Sequence, residues 1–337
     1  MPSSFSTSCR ENMSDTTDRD SASSRLLLRD LSHDEVFKAG ESCLFTVADG
    51  VAHLQLARPK RLNALNQKTV LAIWKALDET TRLSSPEDAT RTNVLGQDDT
   101  QSSPSAVRVF VLSAQGKYFC SGADAQELMA SASSGSTDET IAKAALPEDV
   151  GSMAQLWEKL SSLPVPTIAI AQGSAFGGGV GLLSCCDIVI ASAGASFALS
   201  EVRIGMTPAT IAPHVISKMG NANARRYFLT GEPMTAENAK QIGLVTEVAP
   251  KAELQQKLDH FLKELTKCAP KATQASKRLL LGVQALQGND ANQLVRKFTQ
   301  DELDKIRKSP EVMQGAMAML SKSKKPWEEQ GLLKAKL

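Results

Sequence analysis

The sequence lacks the features that mark several large classes of protein. It contains no run of about eighteen apolar residues, which excludes a membrane-spanning helix. Its formal net charge is only +1, so it has no basic field of the kind that binds nucleic acid in bulk. The six cysteines lack metal-site spacing, and the adjacent Cys185 and Cys186 lie in an apolar run, which indicates buried thiols in a reducing compartment. We therefore expect no metal, no membrane partner and no nucleic-acid partner.

Polar composition marks the segments that we expect to lie outside the folded core. The first 25 residues are rich in Ser, Thr and Asp, and we expect a disordered N-terminal extension over residues 1–40. Four acidic residues between positions 11 and 20 interrupt the basic charge that a transit peptide needs. Two further polar stretches, at about 84–105 and 131–149, are typical of surface insertions.

The stretch between Pro166 and Pro213 carries the most chemical information. A short apolar strand, Thr167 to Ala171, leads into a glycine-rich turn at 177–179, a second strand follows, and Glu201 then stands in an apolar run. Glycine lets a backbone N–H approach a ligand closely, and an N–H at a helix start is a ready donor to a developing oxyanion. A carboxylate among apolar residues is a candidate acid or base with a raised pKa.

Hydrophobic periodicity predicts an α/β core followed by helices. Two alternating runs, 44–47 and 51–56, flank Asp49-Gly50 and predict a β-hairpin. Apolar residues at helical spacing predict a helix over Val70 to Arg82. Further helices are predicted at 224–229, 235–242, 252–268, 270–287 and 289–306. The chain is thus divided into a core at 41–250, a helical lobe at 251–330 and a tail at 331–337.

Three motifs occur in a characteristic order along the chain. They are ARPKRLNALN (Ala57 to Asn66), VRVFVLSAQGKYFCSGADAQEL (Val107 to Leu128) and the glycine-rich stretch with Glu201. Together they resemble the crotonase family of enoyl-CoA hydratases and isomerases over roughly residues 44–330. The resemblance implies an α/β fold with a ββα spiral core and a helical C-terminal trimerisation lobe. It also implies a homotrimer or dimer of trimers that acts on a coenzyme A thioester with no further cofactor.

The resemblance assigns roles to residues in two of these motifs. The thioester oxygen becomes negative in an enolate-like state, and the backbone N–H groups of Ala123 and Gly178 would stabilise it. Glu201 would transfer the proton. Hydratases of the family typically use two glutamates, but the first of these positions is Gly181 in this sequence. This departure removes one half of the acid/base pair that positions and deprotonates water.

The resemblance also implies a coenzyme A site that is built from several segments. Lys60 and Arg61 would flank the loop around the pantetheine and phosphates, and lysines near 322–325 are candidates for the nucleotide. Asp124 is expected to order its own loop. The substrate and coenzyme A contacts predicted in this way are Lys60, Arg61, Leu62, Ala64, Cys120, Ser121, Gly122, Asp124, Gly177, Gly181 and Pro208.

Within the family, the sequence is most similar to bacterial-type methylglutaconyl-CoA hydratases. The expected function is therefore hydration of a short or branched 2-enoyl-CoA. Two alternatives stay open: an enoyl-CoA isomerase that uses Glu201 alone, and a non-catalytic binding protein. An RNA-binding form of the second is disfavoured, because the predicted helix Val70 to Arg82 has only Lys75 and Arg82 as basic residues.

The last three residues suggest a cellular location. Ala335, Lys336 and Leu337 resemble a peroxisomal address of the small-basic-leucine type, which an import receptor reads. We expect a peroxisome or related organelle and an import receptor as a partner. The mitochondrial matrix is the alternative.

Overall fold

The computed structural model of the chain describes residues 42–85, 106–134, 151–286, 291–329 and 334–337. The predicted extension at 1–40 lies outside these residues, as do most of the two predicted insertions. The strands are β1 (Cys43–Ala48), β2 (Val51–Leu56), β3 (Val109–Ala114), β4 (Thr167–Ala171), β5 (Ala175–Phe176), β6 (Ile188–Ser192), β7 (Ser196–Ala198), β8 (Met234–Thr235) and β9 (Glu247–Ala249).

The strands form two sheets. The larger has the order β1-β2-β3-β4-β6-β9, and the smaller has the order β5-β7-β8. In the larger sheet only β1 and β2 pair antiparallel, and the other neighbours are parallel. The predicted hairpin is confirmed, with Asp49 and Gly50 at φ values of 50° and 73°, as a two-residue turn of this hand requires.

The helices follow the strands in turn and then dominate the end of the chain. They are α1 (Gln67–Leu83), α2 (Ala125–Ser134), α3 (Met153–Ser161), α4 (Gly178–Cys185), α5 (Ala212–Thr230), α6 (Ala236–Gln241), α7 (Leu254–Thr266), α8 (Pro270–Ala285), α9 (Ala291–Arg307), α10 (Pro310–Ser321) and α11 (Pro326–Glu329). The helix predicted at 70–82 is confirmed and begins earlier, because the Asn66 side chain accepts a hydrogen bond from Thr69 N and caps it.

One predicted helix is much longer in the structure. The prediction at 224–229 covers only the end of α5, which begins at Ala212 with Pro213 in its first turn. Gly220 lies inside α5 with φ 76° and kinks it. Because the kink interrupts the regular spacing of apolar residues, the sequence pattern predicted only the part of α5 that follows Gly220. By contrast, the predicted Thr235 cap is confirmed, and its hydroxyl accepts from Asn238 N.

The central strands β3, β4 and β6 are buried on both faces, as is usual for parallel strands that are covered on two sides. Alternate residues such as Leu54 and Leu112 face the main core with α1, α3 and α4. Their neighbours, such as Val111, face a second cluster that α7 covers with Leu258 and Leu262. No helix among the described residues has the length and apolarity to cross a lipid bilayer.

The candidate site lies where the loops after β3 and β4 meet. The carboxyl ends of neighbouring parallel strands lie at the same edge of a sheet. Phe119 N donates to Ser174 O at 3.0 Å, and Phe176 N donates to Cys120 O at 2.9 Å. These two bonds fix the SGAD loop, residues 121–124, against the glycine-rich turn, residues 177–179.

Candidate active site

The SGAD loop and the glycine-rich turn meet backbone to backbone. Gly122 has φ 90° and Gly177 has φ 50°, which side chains rarely permit. A Cβ on Gly122 would lie 2.9 Å from Phe176 O and 3.4 Å from Gly178 N. The approach of the two loops therefore depends on glycine at 122.

In the SGAD loop, the backbone N–H of Ala123 is directed away from the neighbouring residue Leu65. Leu65 N donates to Gly122 O at 2.8 Å, and Asp124 N donates to Leu65 O at 3.0 Å. In an extended segment, successive N–H groups point to opposite sides. The N–H of Ala123 therefore points away from Leu65 and takes no part in this pairing.

A second amide lies at the start of α4. Gly178 is the first residue of this helix, and the first N–H groups of a helix have no intrahelical acceptor. The helix dipole adds partial positive charge at the same end. The amides of Val180 and Gly181 instead donate back to Gly177 O, at 2.9 and 3.1 Å. The Gly178 N–H therefore lies at the positive end of the helix, and its predicted role as an oxyanion donor stays a prediction.

Glu201 lies directly over the glycine-rich turn. It belongs to a short 3₁₀ turn, Ser200–Ile204, and a Cβ on Gly177 would lie 3.2 Å from its Oε1. Its Oε2 is buried and has no hydrogen-bond partner among the described residues. No ion pair joins it to Arg203 or to another cation in the described part of the chain. Burial raises the pKa of the Glu201 carboxyl, and a hydrogen bond from its own backbone partly opposes this.

The place of a second carboxylate is closed by apolar side chains. Gly181 is buried on α4, and a Cβ there would overlap the Ile211 Cγ2 methyl and lie 3.7 Å from Trp157 Cη2. The Trp157 indole N–H donates to Thr210 Oγ1 at 3.2 Å. The glycine that departs from the family pattern is therefore matched by an isoleucine that fills the space.

The predicted coenzyme A loop packs against the SGAD loop. Lys60 and Arg61 are exposed on a 3₁₀ turn, Pro59–Arg61, and Leu62 follows with φ 52°. Ser121 N donates to Leu62 O at 3.0 Å. Ala64 is buried, and its carbonyl accepts from the Arg58 guanidinium at 2.6 Å.

Sequence reasoning missed a buried asparagine that holds this loop in shape. Asn63 has φ 53° and is 1% exposed. Its Nδ2 donates to the carbonyls of Gln115 and Tyr118, at 2.8 Å each, and its Oδ1 accepts from Arg58 N. Asparagine tolerates the left-handed region, so its place in LNALN was a signal of a tight turn.

The other predicted contacts are spread around this centre. Cys120 is buried, and burial raises the pKa of its thiol to about 12, so it stays a neutral thiol. Pro208 is buried, and Ser121 is half-buried in the SGAD loop. Among the lysines predicted to meet the nucleotide, Lys325 forms an ion pair with Glu328 at 2.8 Å. The described residues contain no cluster of three or more potential metal ligands.

Comparisons with known proteins agree on one family. A family model for enoyl-CoA hydratase/isomerase matches residues 93–330. An enoyl-CoA hydratase from Alternaria alternata is 33% identical over 263 residues, covering 77% of this chain and 76% of that protein. An enoyl-CoA isomerase/hydratase from Mycosarcoma maydis is 29% identical over 234 residues, covering 68% and 76%. The structure of an enoyl-CoA hydratase from Shewanella pealeana has a TM-score of 0.71 at 28% identity, covering 87% of this chain and 98% of that one.

Proposed function

This chain belongs to the enoyl-CoA hydratase/isomerase family, with its crotonase-type fold, and we propose that it adds water to the C=C bond of a short or branched 2-enoyl-CoA. The observation that carries the proposal is the position of Glu201, whose carboxylate lies over Gly177 beside the first amide of α4. In this proposal Glu201 is the proton-transfer group and the Gly178 N–H is an oxyanion donor. The coenzyme A thioester is the substrate, and the proposal requires no further cofactor.

The proposed reaction uses both loops at once. The thioester oxygen accepts hydrogen bonds from Ala123 N–H and Gly178 N–H. Water adds its oxygen to Cβ while the Glu201 carboxylate accepts its proton, and negative charge moves onto the thioester oxygen as an enolate. Glu201 then returns a proton to Cα, which completes addition of water across the double bond. Each amide donor in sites of this kind is worth about 3–4 kcal/mol of transition-state stabilisation.

We propose a branched substrate of the 3-methylglutaconyl-CoA type. The support for this choice is the sequence of FGGGVGLL and of the PATI segment, Pro208 to Ile211, which resemble the hydratases of that substrate. A higher kcat/KM for 3-methylglutaconyl-CoA than for crotonyl-CoA is the expected result. Equal kcat/KM values for the two compounds would refute 3-methylglutaconyl-CoA as the preferred substrate but would not refute hydration.

A specific observation favours isomerisation as the second candidate. Two carboxylates can hold a water between them, but here Ile211 occupies the space beside Gly181. A single Glu201 can still remove a proton from one carbon of a 3-enoyl-CoA and return it to another. The same amides would stabilise the dienolate formed in that reaction.

One experiment separates the candidates. The purified protein is incubated with 3-methylglutaconyl-CoA and with a 3-enoyl-CoA in water labelled with heavy oxygen. Hydration adds the label and removes the absorbance of the conjugated thioester, whereas isomerisation creates that absorbance without adding the label. A protein that changes neither of these compounds and does not hydrate crotonyl-CoA would refute both activities and leave the non-catalytic binding protein.

We also propose that the protein assembles as a homotrimer or a dimer of trimers. The support is the apolar surface of the C-terminal helices, where Met319 is 75% and Leu320 87% exposed on α10 and Leu280 is 66% exposed on α8. In an oligomer a partner subunit would cover such side chains. Light scattering after size exclusion gives the mass directly, and a monomeric mass at micromolar concentration would refute the proposal.

For location, we propose a peroxisome, with the matrix of the mitochondrion as the alternative. The support is the tripeptide 335–337, of which Lys336 and Leu337 are exposed. The tripeptide rests on α7, because Gln255 donates to Ala335 O at 2.8 Å and accepts from Leu337 N at 2.9 Å. An import receptor would have to replace these two bonds. A reporter fused to residues 328–337 should become punctate, and a diffuse signal would contradict the proposal.

A further inference from the structure

The guanidinium of Arg58 joins the predicted coenzyme A loop to the SGAD loop. Its Nη1 donates to Ala64 O at 2.6 Å, and its Nη2 donates to Asp124 Oδ2 at 3.1 Å. The side chains of Arg58 and Asp124 are only 17% and 12% exposed. Two loops that lie more than fifty residues apart in sequence are therefore held by one largely buried cation.

Asp124 connects Arg58 to the backbone beside the Ala123 amide. Its Oδ1 accepts from Gln126 N at 3.1 Å, which fixes the start of α2, and its own N–H donates to Leu65 O. Ala123, immediately before it, is exposed and has only a methyl side chain. The position of the Ala123 N–H therefore depends on the bonds made by Gly122 and Asp124 on either side.

From this geometry we propose that Arg58 is a positioning residue, which aims the Ala123 N–H through Asp124 and the Ala64 carbonyl. The inference rests on the proposed function, because it assumes that this N–H meets the thioester oxygen. A hydrogen-bond donor acts on a transition state only when it is held within about 0.5 Å of its place. A displacement of about 1 Å costs on the order of a hundredfold in rate.

The chemistry of the contact requires arginine at this position. Its planar fork reaches a carbonyl and a carboxylate at the same time, whereas the ammonium of lysine is a single compact donor group. Removing the cation would leave the Asp124 carboxylate largely buried without its ion-pair partner, which is costly. We expect the SGAD loop to shift so that this carboxylate reaches water, and the Ala123 amide to move with it.

The test measures carbonyl polarisation as well as rate. A cinnamoyl-type CoA is conjugated through its thioester, and its absorbance shifts to longer wavelength when the carbonyl accepts strong hydrogen bonds. Arg58→Lys, Arg58→Gln and Asp124→Asn are compared with wild type for kcat, KM and this shift. Arg108→Lys is the matched control, since Arg108 is a buried arginine that donates to the carbonyls of Leu265, Thr266, Cys268 and Trp327.

We expect Arg58→Gln and Asp124→Asn to lower kcat about 10- to 100-fold, with KM changed by less than about threefold. Their absorbance shifts should shrink in parallel, and the double variant should lose no more than either single one. Arg108→Lys should lower the melting temperature and keep the full shift. If the Arg58 variants do not fold, Asp124→Asn, which keeps the shape of the side chain, gives the same readout.

Two results would overturn the inference. In the first, the Arg58 and Asp124 variants keep the full shift and the wild-type kcat. In the second, only KM rises while the shift is kept, which would make Arg58 a direct ligand of a coenzyme A phosphate. A wild-type protein that binds the probe without any shift would overturn the proposed oxyanion function itself, and the role of Arg58 with it.

Discussion

Two walls of side chains border the start of α4, and they differ in chemistry. The acidic wall is Glu201, whose carboxylate lies over Gly177 with one buried oxygen that has no described partner. The apolar wall is Ile211 and Trp157, which close the space beside Gly181. The same short helix thus has the Gly178 N–H at its first residue, and one turn later the Ile211 side chain packs against Gly181. Of these two walls, only the one beside Gly177 carries an ionisable group.

The apolar wall also limits what water can do. Its one polar pair, Trp157 Nε1 and Thr210 Oγ1, is joined at 3.2 Å, so the indole N–H is already satisfied. A water on that side would find no carboxylate at position 181. In the proposed hydration Glu201 alone therefore activates water, whereas the proposed proton shuttle between carbons needs nothing from the apolar wall.

The largest effect should come from removing the acidic wall. Glu201→Gln keeps the size of the side chain and loses the proton-accepting oxygen. We expect kcat for both water addition and double-bond migration to fall about 10²- to 10⁴-fold, the usual range for a general acid or base. Steady-state rates on the two substrates check this.

The control for that variant is Glu237→Gln, an exposed glutamate in the first turn of α6. It should retain wild-type rates. A Glu201→Gln protein with more than about a tenth of wild-type activity would contradict the assignment of the acidic wall, given the usual size of general acid–base effects.

The donor between the two walls should come next in size. Gly178→Val adds a side chain whose Cβ would lie 3.0 Å from Leu65 Cδ1 and 3.9 Å from Gly122 Cα. We expect about a 10²- to 10³-fold loss in kcat, because the substrate carbonyl can no longer approach the amide. The matched control is Gly194→Ala, since nothing lies within 4 Å of a Cβ built there. Equal activity in the two variants would show that the Gly178 amide does not meet the substrate.

A third change converts the apolar wall into an acidic one. Gly181→Glu alone overpacks against Ile211, and overpacking typically costs about 1–3 kcal/mol of stability. Combining it with Ile211→Gly makes room for the carboxylate. We expect the double variant to regain stability and to raise the ratio of hydration to isomerisation about tenfold, a small part of the usual contribution of an added acid or base.

Product ratios on the two substrates, with melting temperatures of both single variants, check this expectation. Ile211→Gly alone is the control, since it opens the space without adding a charge. If the ratio in the double variant equals that in the control, the second carboxylate has no role in water addition.

The family resemblance singled out Glu201 and Gly178 because both lie in local motifs, and the structure brings these two motifs together at the start of α4. The hairpin turn and the Thr235 cap were also local and were predicted correctly. The filling of position 181 by Ile211 was not predictable, since thirty residues and several elements separate them. Arg58 was missed for the same reason: its partner Asp124 lies 66 residues away, and only the packed loops bring them together.

The smallest expected effect is on the free energy of unfolding. Mutations in the two walls should differ in how that free energy depends on pH. Burial raises the pKa of Glu201 above its ordinary value of 4.5, so between these two values the folded protein binds more protons than the unfolded chain. Its stability should therefore fall as pH rises through that window, and at pH 7 Glu201→Gln should be more stable than wild type. The difference should vanish below about pH 4, where wild type carries a neutral carboxyl in both states.

Ile211→Val, which shortens the apolar wall, should instead cost about 1 kcal/mol at every pH. Urea unfolding across pH 4 to 8 distinguishes the two, and a Glu201→Gln protein less stable than wild type at pH 7 would show that the carboxylate is compensated in the folded state.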